Sequence, residues 1–503
     1  MPVYKKGGNK MEKKERLTQS QIDGVQYRRA KLWQIILVAS GGMVSMGFYC
    51  LIGLANYSAN IGFGIATVAV GGILTFTRVF DAITDPLLAF IYDKVNTRFG
   101  KVRILLVIGW LVMVLATLLM YSWAAGKGHG FMVFVLLYML YIIGYTLYNM
   151  TGQTLFVLMT NDPKQRPMVG VWSTIFNYIV PIALNMVYYV VLMPKYGGFN
   201  LEFLTAVCWA TIAVSAVGLV TTCIGISEFD RPENFAGTTA KREKLRIKDM
   251  VEVLKNNRPL QCYIASGASD KIAQQVASQS IISTMLGGIV IGNMSISTTL
   301  STVSIIPSIL FAVVGAEYAG KHGNKRTIIT WTYMCIYVTC AMILFFVFLH
   351  IGGSTRCIST AFPLMAIYVI LTLALNGTKM CVTTGNNAFM ADVIDYELDR
   401  GGKYIPAVVS GVYSLIDKLV SSVSALIATS AVALIGYTET MPQPTDALTG
   451  GVFWMTMALM YGFPLIGWVI TLIAMKYCSL DKEEMVEVQK RIADKKAAAL
   501  KER

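Results

Sequence analysis

The chain has 503 residues, 55% of them hydrophobic and only 14% charged, and its mean hydropathy is +0.57. A soluble protein carries about a quarter charged residues, so the composition excludes an ordinary soluble domain. The formal charge of +14 is crowded into short stretches between long apolar runs, which removes the case for a nucleic-acid partner.

The first 31 residues are polar and basic, with neither a short apolar core nor a small-residue cleavage site, so no removable signal is expected. A helix needs about 20 apolar residues to cross the hydrocarbon layer. Twelve such runs are predicted, at 32–57, 64–92, 103–123, 131–160, 168–194, 204–227, 259–287, 294–318, 326–350, 362–390, 405–436 and 450–477. Of the 43 Lys and Arg, Lys127, Lys195 and Arg356 fall on one side, and Arg78, Lys271, Lys379 and Lys418 fall within spans. All the others fall on the opposite side, which predicts that both termini are cytoplasmic. The nine Cys lie mostly in apolar runs and read as small buried hydrophobes.

The longest internal connection divides the spans into six and six. The expected organisation is a tail at 1–31, a bundle at 32–227, a middle loop at 228–258, a second bundle at 259–477 and a tail at 478–503. "KLRIKDMVEVLKNN" in the middle loop and "DKEEMVEVQKRIADKKAAALKER" at the end read as surface helices. "RFGKVR" after span two has a counterpart, "KHGNKR", after span eight, pairing Gly100 with Gly323 and Arg103 with Arg326. A repeat at equivalent places in a 6+6 array predicts an all-α polytopic membrane protein of the major facilitator architecture, with a central site between two halves.

Charged and polar residues inside the spans mark that site, because an ionised group there costs about 2.5–3.5 kcal/mol or more. Span two places Arg78, Asp81, Thr84 and Asp85 on one helical face, with Pro86 expected to bend the helix. Carboxylate and hydroxyl oxygens at that spacing suit a small hard cation or a proton. They also suit a plain buried ion-pair cluster. In span four, Tyr145, Thr146, Asn149 and Gln153 form a polar stripe that either glues helices or lines a hydrated cavity. Span seven carries Asp270, Lys271, Gln274 and Gln275, span ten Asn376 and Lys379, and span eleven Ser414, Asp417, Lys418 and Ser421 or Ser422.

Three motifs resemble the glycoside–pentoside–hexuronide:cation symporter family, typified by the melibiose carrier. "RVFDAITDP" is similar to its cation-site helix, "MADVIDYELDRGGKY" (390–404) to its Ala-Asp-x-x-Asp-Tyr loop, and "GVYSLIDKLVSS" to the helix that follows. "RFGKVR" and "NRPL" (257–260) fit as well, and the likeness runs from span one to span twelve. The resemblance implies secondary active sugar transport, with Asp81, Asp85, Thr84 and Thr146 holding the coupling cation. Arg78, Lys418 and Asp417 would balance its charge. It implies no cofactor beyond H⁺ or Na⁺, and Asp81 and Asp85 ligate metal only if the ion is Na⁺. Thr84 stands where the melibiose carrier has an amide, which puts Na⁺ coupling in doubt.

The carrier's acidic sugar-binding positions fall here near Ser45 and at Asn149. Its aromatic position is Gln153, and Trp172 and Ser173 lie near its arginine. Loss of two carboxylates, with Lys271 and Lys379 added, suits an anionic substrate; Gln274 joins the expected lining. The expected function is therefore symport of a glucuronide or hexuronide, with a neutral glycoside as the alternative and a proton-coupled drug exporter behind it. Tyr145, Tyr148 and Trp172 are candidates to stack on a sugar ring. A membrane enzyme is disfavoured, because His129, His322 and His350 lie apart at span or loop ends and no phosphate-cradling loop occurs. The expected partners are a sugar and membrane lipid, for a monomer in the bacterial cell membrane.

Overall fold

A computed structural model describes residues 29–94, 100–160, 165–230, 254–353, 355–401 and 422–501, together with 413, 416, 419 and 420. Some side chains within these helices, and the helix expected in the middle loop up to residue 253, lie outside the described residues. Every regular element described is helical. Eight helices are long and apolar enough to cross a membrane, and shorter apolar helices run over Thr67–Thr77, Ser280–Val290 and Ser424–Leu434. Their outer surfaces are strongly apolar, as lipid demands: Phe348 is 77% exposed and Phe362 75%.

Span one breaks into Leu32–Ala39 and Gly42–Ile52. The carbonyl of Gly41, which accepts from the backbone N–H groups of Val44 and Ser45, also accepts a hydrogen bond from the Tyr148 hydroxyl at 3.3 Å. Tyr148 is only 2% exposed, packed beside this joint, and presents no ring to a sugar. Span two runs as one helix, Thr67–Lys94, through Pro86.

The helices pack in two groups. Gly42–Ile52 touches Gly130–Met159, Arg166–Met186 and Leu201–Ile226, and Thr67–Lys94 touches Gly130–Met159. In the other group Arg258–Ala277 packs on Phe463–Tyr477, and Phe362–Gly401 on Ile305–His322 and Asn324–Ile351. The groups meet along two seams, Thr67–Lys94 against Ser424–Leu434 and Arg166–Met186 against Met294–Val303. At the first seam Gly71 lies so close to the Ser424–Leu434 helix that a side chain there would overlap Leu426 and Thr429.

At the end of the bundle that carries the termini, the paired glycines both take positive φ, 99° at Gly100 and 88° at Gly323, a conformation that favours glycine. Asp230, buried, follows the first: its carboxylate accepts from the backbone N–H groups of Lys101, Val102 and Arg103 at 2.9–3.1 Å and caps that helix. After the second, Asn324 donates to Asp392 at 2.7 Å. Asn257 of "NRPL" caps its own helix through Leu260 N–H and donates to Glu397 at 2.8 Å, so two sequence motifs meet here.

The terminal helix, Lys482–Lys501, is less solvated than its charge pattern predicts. Val488 is 0% exposed and joins Leu260, Phe389 and Val393 in one apolar cluster. Arg491 reaches Asp399 at 2.7 Å and Gln489 reaches Asp395 at 2.7 Å. Exposed ion pairs contribute about 0–1 kcal/mol, so the buried apolar face holds the helix down.

At the far end the two groups are sealed together. Asn60, in the π-helical turn Ser58–Gly62, donates to the carbonyls of Ile65 and Glu439 at 2.9 and 2.6 Å and accepts from Met441 N–H at 3.1 Å. Thr67 N–H donates to the Thr438 carbonyl at 3.0 Å, and Tyr57 donates to the Pro442 carbonyl at 2.9 Å while stacking on Phe199. One amide thus holds the connection before span twelve as a strand partner would. Asn60→Ala should break this seal. A cysteine replacing Met441, which is 1% exposed, in an otherwise cysteine-free protein should then react about tenfold faster with a water-soluble maleimide in detergent. That factor is the kinetic equivalent of about one lost buried hydrogen bond. An unchanged rate would show that Asn60 does not hold the seal.

Candidate functional site

Two hydroxyls and one carboxylate form the centre of the first group. Span four packs along span two, and the Thr146 hydroxyl crosses between them to donate to Asp81 Oδ1 at 2.7 Å. Thr84, buried one turn on, donates to the backbone carbonyl of Asp81 at 3.0 Å. Both hydroxyl protons are therefore committed, and what each hydroxyl still offers is an oxygen lone pair. Such a cluster can accept a proton or coordinate a small cation. The side chains of Arg78 and Asp85 lie outside the described residues.

The rest of the span-four stripe divides. Asn149 donates to the carbonyl of Tyr145 at 2.9 Å within its own helix. Tyr145 is half-buried and stacks on Tyr141 with centroids 5.6 Å apart. The Gln153 side chain lies outside the described residues. Ser45 on span one, and Trp172 and Ser173 on span five, are half-buried on helices that pack together.

The second group holds a separate cluster. Asp270 accepts from Gln274 Nε2 at 2.7 Å on one carboxylate oxygen and from Trp468 Nε1 at 3.2 Å on the other. Lys379 Nζ sits over the Trp468 ring, 5.7 Å from its centroid. Lys271 lies within electrostatic reach of Asp270. Helix contact explains the register: a side chain on Gly467 would come within 2.8 Å of the Ser269 carbonyl, so spans seven and twelve approach backbone to backbone. Ser269 donates to the Gly467 carbonyl at 3.1 Å. Trp468 is the residue that reading the sequence missed. One Trp in an apolar span reads as packing, and only its place one residue after a glycine hinted at a close approach. Asp417 and Lys418 lie outside the described residues, as do Ser414 and Ser421.

The model of the MFS/sugar transport protein family matches residues 38–482. The chain belongs to that family. It is a multi-pass membrane sugar transporter with the all-α major facilitator fold, not an enzyme, and its substrate is a small-molecule sugar. The "glucuronide carrier protein homolog" of Escherichia coli (strain K12) is 25% identical over 469 residues, covering 91% of this chain and 96% of that protein. The "uncharacterized symporter YjmB" of Bacillus subtilis (strain 168) is 24% identical over 394 residues, 77% and 80% of the two chains. Among solved structures, a mutant of the nucleoside transporter NupG matches with a TM-score of 0.59 at 12% identity. The match covers 87% of this chain and 99% of that one.

In this sugar transporter, Thr146→Val keeps the side chain's shape and removes the proton donated to Asp81. About 1.5–3 kcal/mol of stability should be lost with that bond, read as a lower thermal midpoint in detergent. Thr146→Ser should recover most of it, whereas an unshifted midpoint for the valine variant would mean the bond carries no net energy.

Proposed function

We propose that this sugar transporter is a cation-coupled symporter of an anionic glycoside, a glucuronide or related hexuronide, working by alternating access. The observation that carries the reading is the Thr146–Asp81 bond between spans two and four. It supports a carboxylate kept in the membrane interior for a cation, in the place where the sequence resembles the family's cation-site helix. Asp81, Thr84, Asp85 and Thr146 would form that site, with Arg78, Asp417 and Lys418 in charge balance. Ser45, Tyr145, Asn149, Gln153, Trp172, Lys271, Gln274 and Lys379 would line the sugar pocket.

The anionic preference rests on two absences and one presence. The carboxylates that accept hydroxyl protons from a neutral sugar are replaced by Ser45 and Asn149, while Lys379 stands half-buried beside Trp468. The name of the Escherichia coli relative agrees with this reading. A neutral glycoside is the second reading, favoured by the proximity of Lys271 to Asp270.

With the termini cytoplasmic, as the Lys and Arg distribution supports, the Asn60 seal lies on the outer face. The protein would work as a monomer of two six-helix bundles at 32–227 and 259–477. Cation binding at Asp81 and Asp85 then favours the outward-open pocket, the loaded carrier rocks, and release of the cation inside lets the sugar leave.

The test is uptake into liposomes of a labelled glucuronide and its matched neutral glucoside, under a proton gradient and then a Na⁺ gradient. The glucuronide should accumulate under one gradient, which identifies the ion, and Asp81→Asn should abolish accumulation. Driven uptake of the neutral sugar alone would overturn the anionic reading. Normal accumulation by Asp81→Asn would overturn the cation site.

A further inference from the structure

We propose that Trp468 is a positioning residue for charge selectivity: it holds Lys379 on its aromatic face and ties Asp270 at its edge, so the lysine keeps its charge available to an anionic sugar. This rests on the anionic-glycoside reading above and goes beyond it, since neither the family motifs nor the span-by-span polarity pattern points to Trp468.

Each carboxylate oxygen of Asp270 accepts from a neutral donor, Gln274 on one and the Trp468 indole N–H on the other. Among the described residues no carboxylate lies within 4.0 Å of Lys379 Nζ, although Asp270 is within electrostatic reach. The ammonium is instead seated on the Trp468 ring. The two kinds of partner differ in consequence. A direct ion pair would cancel the lysine's field, whereas a ring quadrupole steadies the cation without neutralising it. A substrate carboxylate that reaches Lys379 therefore meets a cation to which no carboxylate among the described residues is bonded.

Trp468 can do this because its own position is over-determined. It is 2% exposed, it follows Gly467 at the closest approach of spans seven and twelve, and Thr471 one turn on hydrogen-bonds to the same helix, to the Ser266 carbonyl at 3.4 Å. Loss of the ring would leave Asp270 short of a donor and Lys379 short of a seat. The two would then satisfy each other, and the site would lose its free positive charge.

The experiment compares KM for a labelled glucuronide with KM for the matched neutral glucoside in proteoliposomes, in the wild type, Trp468→Leu, and Trp468→Leu combined with Asp270→Asn. Each is first checked for a monodisperse detergent peak at the wild-type position. Trp468→Leu should shift the ratio of the two constants by about tenfold or more against the glucuronide, the scale of one charged hydrogen bond. Adding Asp270→Asn should bring the ratio back to within about threefold of wild type, because Lys379 then has no carboxylate to pair with. A merely structural tryptophan would not be rescued by removing a second hydrogen-bonding group. If Trp468→Leu does not fold, Trp468→Phe serves: it keeps the aromatic face but removes the N–H from Asp270, so it should lose part of the preference and regain it with Asp270→Asn, and no recovery there would overturn the proposal. An unmoved ratio in Trp468→Leu, or no recovery in the double variant, would overturn the role of Trp468 while leaving the anionic reading intact. A wild type with no preference for the glucuronide would overturn that reading, and this proposal with it.

Discussion

A carboxylate inside a membrane has to find its partners within the protein, because lipid offers none. The sequence sets Asp81 and Asp270 in apolar spans, and the rest of the interior is arranged around supplying them. Asp81 takes a hydroxyl from a neighbouring helix. Asp270 takes an amide from its own helix and an indole N–H from another. In both cases these hydrogen-bond donors are neutral, with Lys271 and Lys379 within electrostatic reach of Asp270.

The same rule governs the joints. Tyr148 adds a hydroxyl to the Gly41 carbonyl beside the break in span one, and Asn60 satisfies a stretch of irregular backbone at the far end with one side chain. These two contacts differ in permanence. Tyr148 acts within one group of helices, where nothing needs to open. Asn60 acts between groups, on hydrogen bonds to backbone that water could replace. At the opposite end, positive-φ glycines and a buried Asp230 tie neighbouring helices within a group, so each group can move as a unit. Among the described residues the terminal helix packs on the second group, through Val488, Arg491 and Gln489.

Much of this was legible beforehand because lipid imposes simple arithmetic on a sequence. Span lengths follow from the thickness of the bilayer, and intramembrane acids stand out because they are costly. Asp81 and Thr146 each stood out on a polar face by helical spacing, and the family resemblance put them at one site. What spacing does not show is where a side chain spends its hydrogen bonds. Asn149 belongs to the same stripe as Thr146, yet its amide is satisfied one turn back in its own helix. Tyr148 looked like a surface for a sugar and is a brace for the backbone.

By itself, then, the sequence determined the helical class and the membrane-buried charges, because these depend on local composition and on the energetics of lipid, while its motifs carried the resemblance to a family. Only the tertiary structure decided which of those charges have partners and of what kind. The pairing of Trp468 with Asp270 joins residues 198 apart in the chain, and it exists because Gly467 lets two helices touch. No periodicity within either span carries that information, because the distance between two backbones is a property of both helices at once.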